Sequence, residues 1–171
     1  MQGLTMAANP FFPEDLYALA QRVIEENKAL GRMVSVAESC TGGLVCAALT
    51  EIPGSSAVLD RGFVTYSNEA KMEMLGVHSD IIDSFGAVSP ATAWAMAQGA
   101  IGKSRADVAV AISGIAGPDG GSEMKPVGTV VFARARRGEE EVNAEQKLLD
   151  GTTRAEIRHQ AAIVALELLL P

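Results

Sequence analysis

Segments with helix-like and strand-like patterns alternate along the whole chain, and this alternation constrains the fold more than any other sequence feature. Short apolar runs typical of buried strands cover residues 33–38, 58–66 and 107–112, with helical patterns between them. Two further strands, 127–136 and 141–149, are joined at Arg137 and Gly138 and predict a hairpin. The pattern therefore predicts an α/β protein, a single-domain three-layer α/β/α sandwich with a mixed sheet.

Helix-start signals place three of the helices. Pro13 opens the first, Ser89 before Pro90 opens another, and Thr153 with Glu156 has capping-box spacing and opens the last. Shorter helices are predicted over 44–51 and 68–75. The last helix is expected to face the core with one apolar stripe, formed by Ile157, Ala161, Val164 and Leu168.

The composition indicates one acidic globular domain. The chain has 171 residues, 48% of them hydrophobic, which suits a single core and excludes a disordered chain. Its 14 basic and 21 acidic residues give a formal charge of −7, so we expect no nucleic-acid binding. We expect residues 1–12 to form a flexible N-terminal arm and residues 13–171 to form the domain.

The cysteines and the N-terminus give no sign of a metal site, secretion or a membrane anchor. Cys40 and Cys46 do not form a CxxC pair, and His78 and His159 are distant in sequence. Residues 1–13 contain no lysine or arginine, and no run reaches the ~18 apolar residues of a membrane span. We therefore expect a cytoplasmic protein that binds no metal and no membrane.

The first candidate site is the segment from Ser39 to Gly43, between a predicted strand and a predicted helix. Ligands of α/β proteins gather at such turns, and N–H groups at a helix start suit a phosphate or a developing oxyanion. The alternative is structural: Ser39 or Thr41 caps the helix, and Gly42 and Gly43 form a tight turn. Cys40 is a second candidate nucleophile, although a buried structural cysteine is the commoner case.

The second candidate lies at the end of the next strand, from Tyr66 to Lys71. A desolvated lysine amine acts as a base towards a serine hydroxyl, and Tyr66 is placed to orient it or to move a proton. Taken alone, however, Lys71 also fits an ordinary solvated helix lysine.

The third candidate follows the most apolar strand. Residues 113–121, beginning with Ser113 and Gly114, are rich in glycine and favour a shaped binding loop. Arg154 lies in the first turn of the last helix, where the helix dipole disfavours a cation. It therefore needs a partner, either Asp150 or an anionic ligand, and Arg158 one turn later shares that face.

Together these motifs resemble a known family. Residues 37–43 (AESCTGG), 66–71 (YSNEAK), 75–77 (LGV), 113–121 (SGIAGPDGG) and 126–129 (PVGT), with Arg154 and Arg158, follow the order of the CinA C-terminal domain, the nicotinamide-nucleotide amidase family. The resemblance covers about residues 14–170. It implies conversion of nicotinamide mononucleotide to nicotinic acid mononucleotide and ammonia, without a cofactor.

The resemblance also implies roles for individual residues. Ser39 is the nucleophile, Lys71 is its base, and Tyr66 orients the pair or protonates the leaving ammonia. Arg154 supplies charge for the phosphate, and the N–H groups at Thr41 to Gly43 stabilise the oxyanion. The substrate-binding residues expected from the motifs are Cys40, Thr41, Gly42, Gly43, Asn68, Ser113, Gly114, Gly117 and Arg154.

Two expectations concern assembly and class. The family tendency and the low aromatic content make a homo-oligomer the expected state. The alternative to an enzyme is a non-catalytic nucleotide-binding or regulatory module, because the family name refers to competence and damage induction, and the same glycine loops would bind a nucleotide without chemistry.

Overall fold

A five-stranded mixed sheet forms the centre of the computed structural model, which describes residues 9–171. The spatial order is β2-β1-β3-β4-β5, with β1 parallel to both of its neighbours and the other two pairs antiparallel. The strands are β1 (Val34–Glu38), β2 (Leu59–Val64), β3 (Val108–Gly114), β4 (Thr129–Arg136) and β5 (Asn143–Leu148). The predicted mixed sheet and its terminal hairpin are confirmed.

Helices cover both faces of the sheet. They are α1 (Glu14–Ala29), α2 (Leu44–Thr50), α3 (Asn68–Leu75), α4 (Ser79–Phe85), α5 (Pro90–Gly102) and α6 (Arg154–Leu169). Apolar side chains of α1, α2 and α6 form one core with one face, and those of α3, α4 and α5 form a second core with the other. The predicted three-layer α/β/α sandwich is therefore confirmed. The first eight residues of the predicted arm lie outside the described residues.

Local capping explains why several helices begin where the sequence predicts. Ser67 Oγ accepts the Ala70 N–H at the start of α3, and Ser89 Oγ accepts the Thr92 N–H at the start of α5. At α6, both hydrogen bonds of the predicted capping box are present. Helix α4 was not predicted, because its cap is His78, whose ring accepts the Asp80 N–H, and histidine is not a usual capping residue.

The predicted apolar stripe of α6 is too narrow. Ile157 and Ala161 are buried as expected, but Val164 and Leu168 are only half-buried. The buried face also includes Ala162, Ala165, Leu166 and Leu169. Because α6 packs against α1 as well as the sheet, more than one row of its side chains is covered.

The strand connections create a crevice at one edge of the sheet. The chain leaves β1 for α2 on one face and leaves β2 for α3 on the opposite face. Since these strands are parallel, both departures lie at the same edge, beside the end of β3. Such a divergence is where open α/β sheets bind ligands.

Candidate active site

A cavity of about 280 Å³ opens at this edge of the sheet. Its walls come from the ends of β1 and β3, the start of α3, the glycine-rich segment after β3, and α6. The lining residues are Ser39, Cys40, Tyr66, Asn68, Lys71, Ala87, Val88, Ser113, Gly114, Ile115, Ala116, Gly117, Asp119, Gly120 and Arg154. The segments around Ser39, Lys71, Ser113 and Arg154, far apart in sequence, thus share one cavity.

Ser39 lies directly after β1. Its N–H donates to the Ile112 carbonyl at 3.0 Å, which continues the pairing of β1 with β3 by one residue. The side chain is 7% exposed, and its Oγ accepts a hydrogen bond from Lys71 Nζ at 3.1 Å. The predicted proximity of this serine and lysine is therefore present, across 32 positions of sequence.

Lys71 is buried, with 1% of its surface exposed. Its Nζ also donates to the carbonyl oxygens of Thr65 at 2.9 Å and Tyr66 at 3.4 Å. Burial lowers the pKa of this amine below its ordinary value. When the amine is neutral, its two N–H groups serve the two carbonyls and its lone pair accepts the Ser39 hydroxyl proton, which reverses the hydrogen bond that the charged amine donates to Ser39 Oγ, so this geometry suits a base. The alternative interpretation of Lys71 as a solvated lysine is wrong.

Cys40 lines the same cavity but has the properties of a neutral thiol. Burial, with a smaller contribution from the Glu38 charge, raises the pKa of Cys40 to about 11. The thiolate is the nucleophilic form of cysteine, and almost none is present near pH 7 at this pKa. The arrangement therefore favours Ser39 as the nucleophile.

The turn after Ser39 differs from the predicted oxyanion site. The Gly43 N–H donates to Glu38 Oε2 at 3.0 Å, and the Gly42 N–H donates to the Ser39 carbonyl at 3.0 Å. Neither glycine lines the cavity, nor does Thr41. The prediction that the N–H groups of Gly42 and Gly43 are free for an oxyanion is wrong, because the turn uses both internally. Over residues 9–171, the N–H groups of Cys40 and Thr41 have no hydrogen-bond acceptor.

Two charged residues hold this turn and were not assigned that task from sequence. Glu38 accepts from the backbone at the start of α2, as described above for Gly43. Arg158 donates from Nε to the Cys40 carbonyl at 3.1 Å and from Nη2 to the Thr41 carbonyl at 3.0 Å. Arg158, one helical turn after Arg154, thus holds the turn through its backbone carbonyls and does not line the cavity. The signal for Glu38 was a charged residue at the end of an apolar strand.

Arg154 is one of the residues that line the cavity. Its Nη1 donates to the Gly117 carbonyl at 2.7 Å and its Nη2 to the Tyr66 hydroxyl at 3.0 Å. The alternative pairing with Asp150 is not formed. The Tyr66 hydroxyl lies beside Arg154, and the part of Tyr66 that contacts Lys71 is its backbone carbonyl. The predicted catalytic role of the hydroxyl stays a prediction.

The glycine-rich segment after β3 is tied to the sheet and forms one wall of the cavity. Ser113 Oγ donates to the Ala87 carbonyl at 2.8 Å, and the Ile115 N–H donates to the Thr129 carbonyl at 2.9 Å. A side chain at Gly114 would meet the Val130 methyl groups, which are 2.7 and 3.0 Å from the position of a Cβ atom. Gly114 therefore allows β3 to pack closely against Val130 of β4 at the cavity wall. Asp119 and Gly120 were not predicted to face the cavity, although they belong to the predicted loop.

Within residues 9–171, no helix has the length and apolar character needed to cross a bilayer. In the same part of the chain, histidine, cysteine and acidic side chains do not come together in groups of three suited to a metal ion.

The fold and cavity define an α/β protein that pairs a serine with a buried lysine at the carboxyl ends of its parallel strands. Residues 16–171 match the family model described as the CinA C-terminal domain, and the chain belongs to that family. It is similar to the nicotinamide-nucleotide amidohydrolase PncC of Escherichia coli strain K12, with 50% identity over 155 residues, 91% of this chain and 93% of that protein.

Other relatives carry a different description. A putative competence-damage inducible protein of Symbiobacterium thermophilum is 60% identical over 108 residues, which cover 63% of this chain and 25% of that protein. The crystal structure of the competence/damage inducible protein CihA from Agrobacterium tumefaciens has a TM-score of 0.90 and 53% identity, covering 94% of this chain and 97% of that one.

Proposed function

We propose that this chain is a nicotinamide-nucleotide amidase that hydrolyses nicotinamide mononucleotide to nicotinic acid mononucleotide and ammonia. The observation that carries the proposal is the 3.1 Å hydrogen bond between Lys71 Nζ and Ser39 Oγ inside a ligand-sized cavity. The E. coli relative, which matches over 91% of the chain, is named for this reaction. A serine beside a neutral amine is an arrangement that cleaves unreactive amides.

The reaction follows from this geometry in two stages. Ser39 Oγ attacks the carboxamide carbon while Lys71 Nζ takes the hydroxyl proton. The proton on Lys71 then passes to the carboxamide nitrogen as the C–N bond breaks, and that nitrogen leaves as ammonia. Water, activated by Lys71, hydrolyses the resulting ester, which releases the carboxylic acid and restores the Ser39 hydroxyl.

The tetrahedral intermediate needs hydrogen-bond donors for its negatively charged oxygen. Cys40 lines the cavity next to Ser39, and its N–H has no acceptor within residues 9–171, so we assign it as an oxyanion donor. Removal of one such donor typically raises the barrier by ~2.7–4 kcal/mol. The predicted donors at Gly42 and Gly43 are not part of this assignment.

Arg154 is proposed to bind the phosphate of the nucleotide. Its guanidinium lies in the cavity wall and is held by two neutral oxygens, those of Gly117 and Tyr66, so its charge is available to a dianion. We expect Arg154→Ala to raise KM for nicotinamide mononucleotide about 10-fold or more, since a hydrogen bond to a charged group contributes ~1.5–3 kcal/mol, and to change kcat little. Steady-state kinetics measure both constants.

A matched control separates this effect from a general loss of positive charge. Arg22 lies on the exposed side of α1, where it pairs with Glu26. Arg22→Ala removes the same charge and should leave KM unchanged. An unchanged KM in Arg154→Ala would show that this residue only ties the Gly117 loop to α6.

The test of the proposed function is product formation by the purified chain. Incubation with nicotinamide mononucleotide should release ammonia and nicotinic acid mononucleotide in equal amounts. Calorimetric binding of the nucleotide without product, even after prolonged incubation, would support the alternative of a nucleotide-binding regulatory module. The expected homo-oligomer and the cytoplasmic location stay predictions.

A further inference from the structure

Glu38 is a fully buried carboxylate at the end of β1, with 0% of its surface exposed. Both of its oxygens accept hydrogen bonds from the backbone of the next turn. Oε2 accepts from the N–H groups of Gly43 at 3.0 Å and Val45 at 3.2 Å, and Oε1 accepts from the Cys46 N–H at 2.9 Å. Within residues 9–171, no basic side chain forms a salt bridge with it.

These hydrogen bonds fix the turn that carries the nucleophile. A buried carboxylate is strongly disfavoured unless hydrogen bonds replace its water shell, so the three N–H groups and the carboxylate hold one another in place. Ser39 lies between Glu38 and Gly43 in the sequence. The hydrogen bond from the Gly43 N–H to the Glu38 carboxylate therefore closes a loop that contains Ser39. The direction of Ser39 Oγ depends on this loop.

The backbone of Glu38 reaches the other member of the catalytic pair. Its carbonyl accepts the Thr65 N–H at 2.8 Å and the Thr65 hydroxyl at 3.4 Å. The Thr65 carbonyl in turn accepts from Lys71 Nζ at 2.9 Å. One residue is thus connected through its side chain to the serine turn and through its backbone to the oxygen that orients the lysine.

We propose that Glu38 is a positioning residue that sets the distance and direction between Ser39 Oγ and Lys71 Nζ, an inference that rests on the proposed amidase function. Glu38 does not line the cavity and does not contact the reacting atoms. It affects the reaction only by holding in place the turn that carries Ser39. The consequence is a loss of turnover without a loss of substrate binding when its carboxylate is changed.

The test replaces Glu38 with glutamine, which keeps the size of the side chain but turns one acceptor oxygen into an NH₂ donor facing backbone N–H groups. We expect kcat to fall about 10²-fold, the cost of displacing a catalytic group by about 1 Å, with KM changed less than about threefold. Glu38→Asp keeps the charge, but its side chain is one methylene shorter, so this variant should also lose turnover. It takes the place of the glutamine variant in the test if the glutamine variant does not fold.

Asp60 provides the matched control. It is a half-buried residue whose side chain is 1% exposed, and its carboxylate binds Arg61 and Arg105 at the opposite end of β2. Asp60→Asn should lower the melting temperature while the folded protein keeps wild-type kcat. A similar loss of kcat in Glu38→Gln and Asp60→Asn would show only general destabilisation and would overturn the positioning role, as would wild-type kcat in Glu38→Gln.

A second readout does not depend on the substrate. A fluorophosphonate reacts with an activated serine by forming an Oγ–P bond and expelling fluoride, while the hydroxyl proton goes to the neighbouring base. We expect Ser39 of Glu38→Gln to be labelled about 10²-fold more slowly than in the wild-type protein, with Ser39→Ala unlabelled at that position. If the wild-type protein releases no ammonia, the amidase proposal fails, and equal labelling rates in Glu38→Gln and wild type would overturn the role of Glu38 separately.

Discussion

Replacement of Ser39 by alanine is expected to reduce ammonia release from nicotinamide mononucleotide on the order of 10⁶-fold, the size of effect known for loss of a nucleophilic serine. In the proposed reaction the Oγ atom forms the bond to the carboxamide carbon, and no neighbouring group replaces it. Because Ser39 is only 7% exposed, nucleotide binding by calorimetry should change only slightly in this variant.

Cys40→Ala is the control for the neighbouring nucleophile. The raised pKa of Cys40, about 11, keeps its thiol protonated at neutral pH, so its removal should leave kcat within a few-fold of the wild-type value. If Cys40→Ala is inactive and Ser39→Ala is active, the roles of the two residues are reversed.

The second large effect concerns Lys71. Lys71→Met keeps an unbranched side chain that reaches as far as the lysine Cε and removes the amine, so we expect kcat/KM to fall by about 10²–10⁴-fold, the usual contribution of a general base. The amine is active when neutral, so wild-type kcat/KM should rise with pH and level off. Because burial lowers the pKa of Lys71, the midpoint of this rise should lie below the ordinary lysine value of 10.5.

The pH profile of the variant is the control for that assignment. The limb that belongs to Lys71 should be missing from Lys71→Met, whereas a profile that keeps the same limb would assign it to another group. Stability gives an independent check, since the folded protein binds fewer protons at Lys71 than the unfolded chain between the lowered pKa and 10.5. The free energy of unfolding of the wild-type protein should therefore rise with pH in that window relative to Lys71→Met.

The fold could be predicted where short-range chemistry decides it. The helix at 68–75 has its predicted bounds because Ser67 caps its start and Gly76 takes the left-handed conformation at its end. The capping box at Thr153 could be predicted for the same reason, because its two residues are three positions apart in the sequence. The width of the buried face of α6 could not be read from its own sequence, because it depends on how α1 and the sheet enclose the helix.

The sequence patterns predicted which segments form the site, but they did not predict all of the contacts that the residues of the site make. Lys71 and Ser39 meet because β1 pairs with β2 and α3 then returns over the crevice, an arrangement that no local pattern specifies. The Gly42 and Gly43 N–H groups are not available to an oxyanion, because the Ser39 carbonyl accepts the first and the Glu38 carboxylate accepts the second. The Tyr66 hydroxyl is positioned by Arg154, 88 residues away, and side-chain directions set by such distant contacts are not visible in sequence.

In the proposed reaction Ser39 forms a covalent ester with the acyl group of the nucleotide, and this ester can be detected directly. Turnover of nicotinamide mononucleotide is stopped with acid, and the digested protein is analysed by peptide mass spectrometry. We predict that the peptide containing Ser39 carries the nicotinic acid mononucleotide acyl group on that serine, and that the adduct is absent from Ser39→Ala. An adduct on Cys40, or full turnover by Ser39→Ala, would contradict the account.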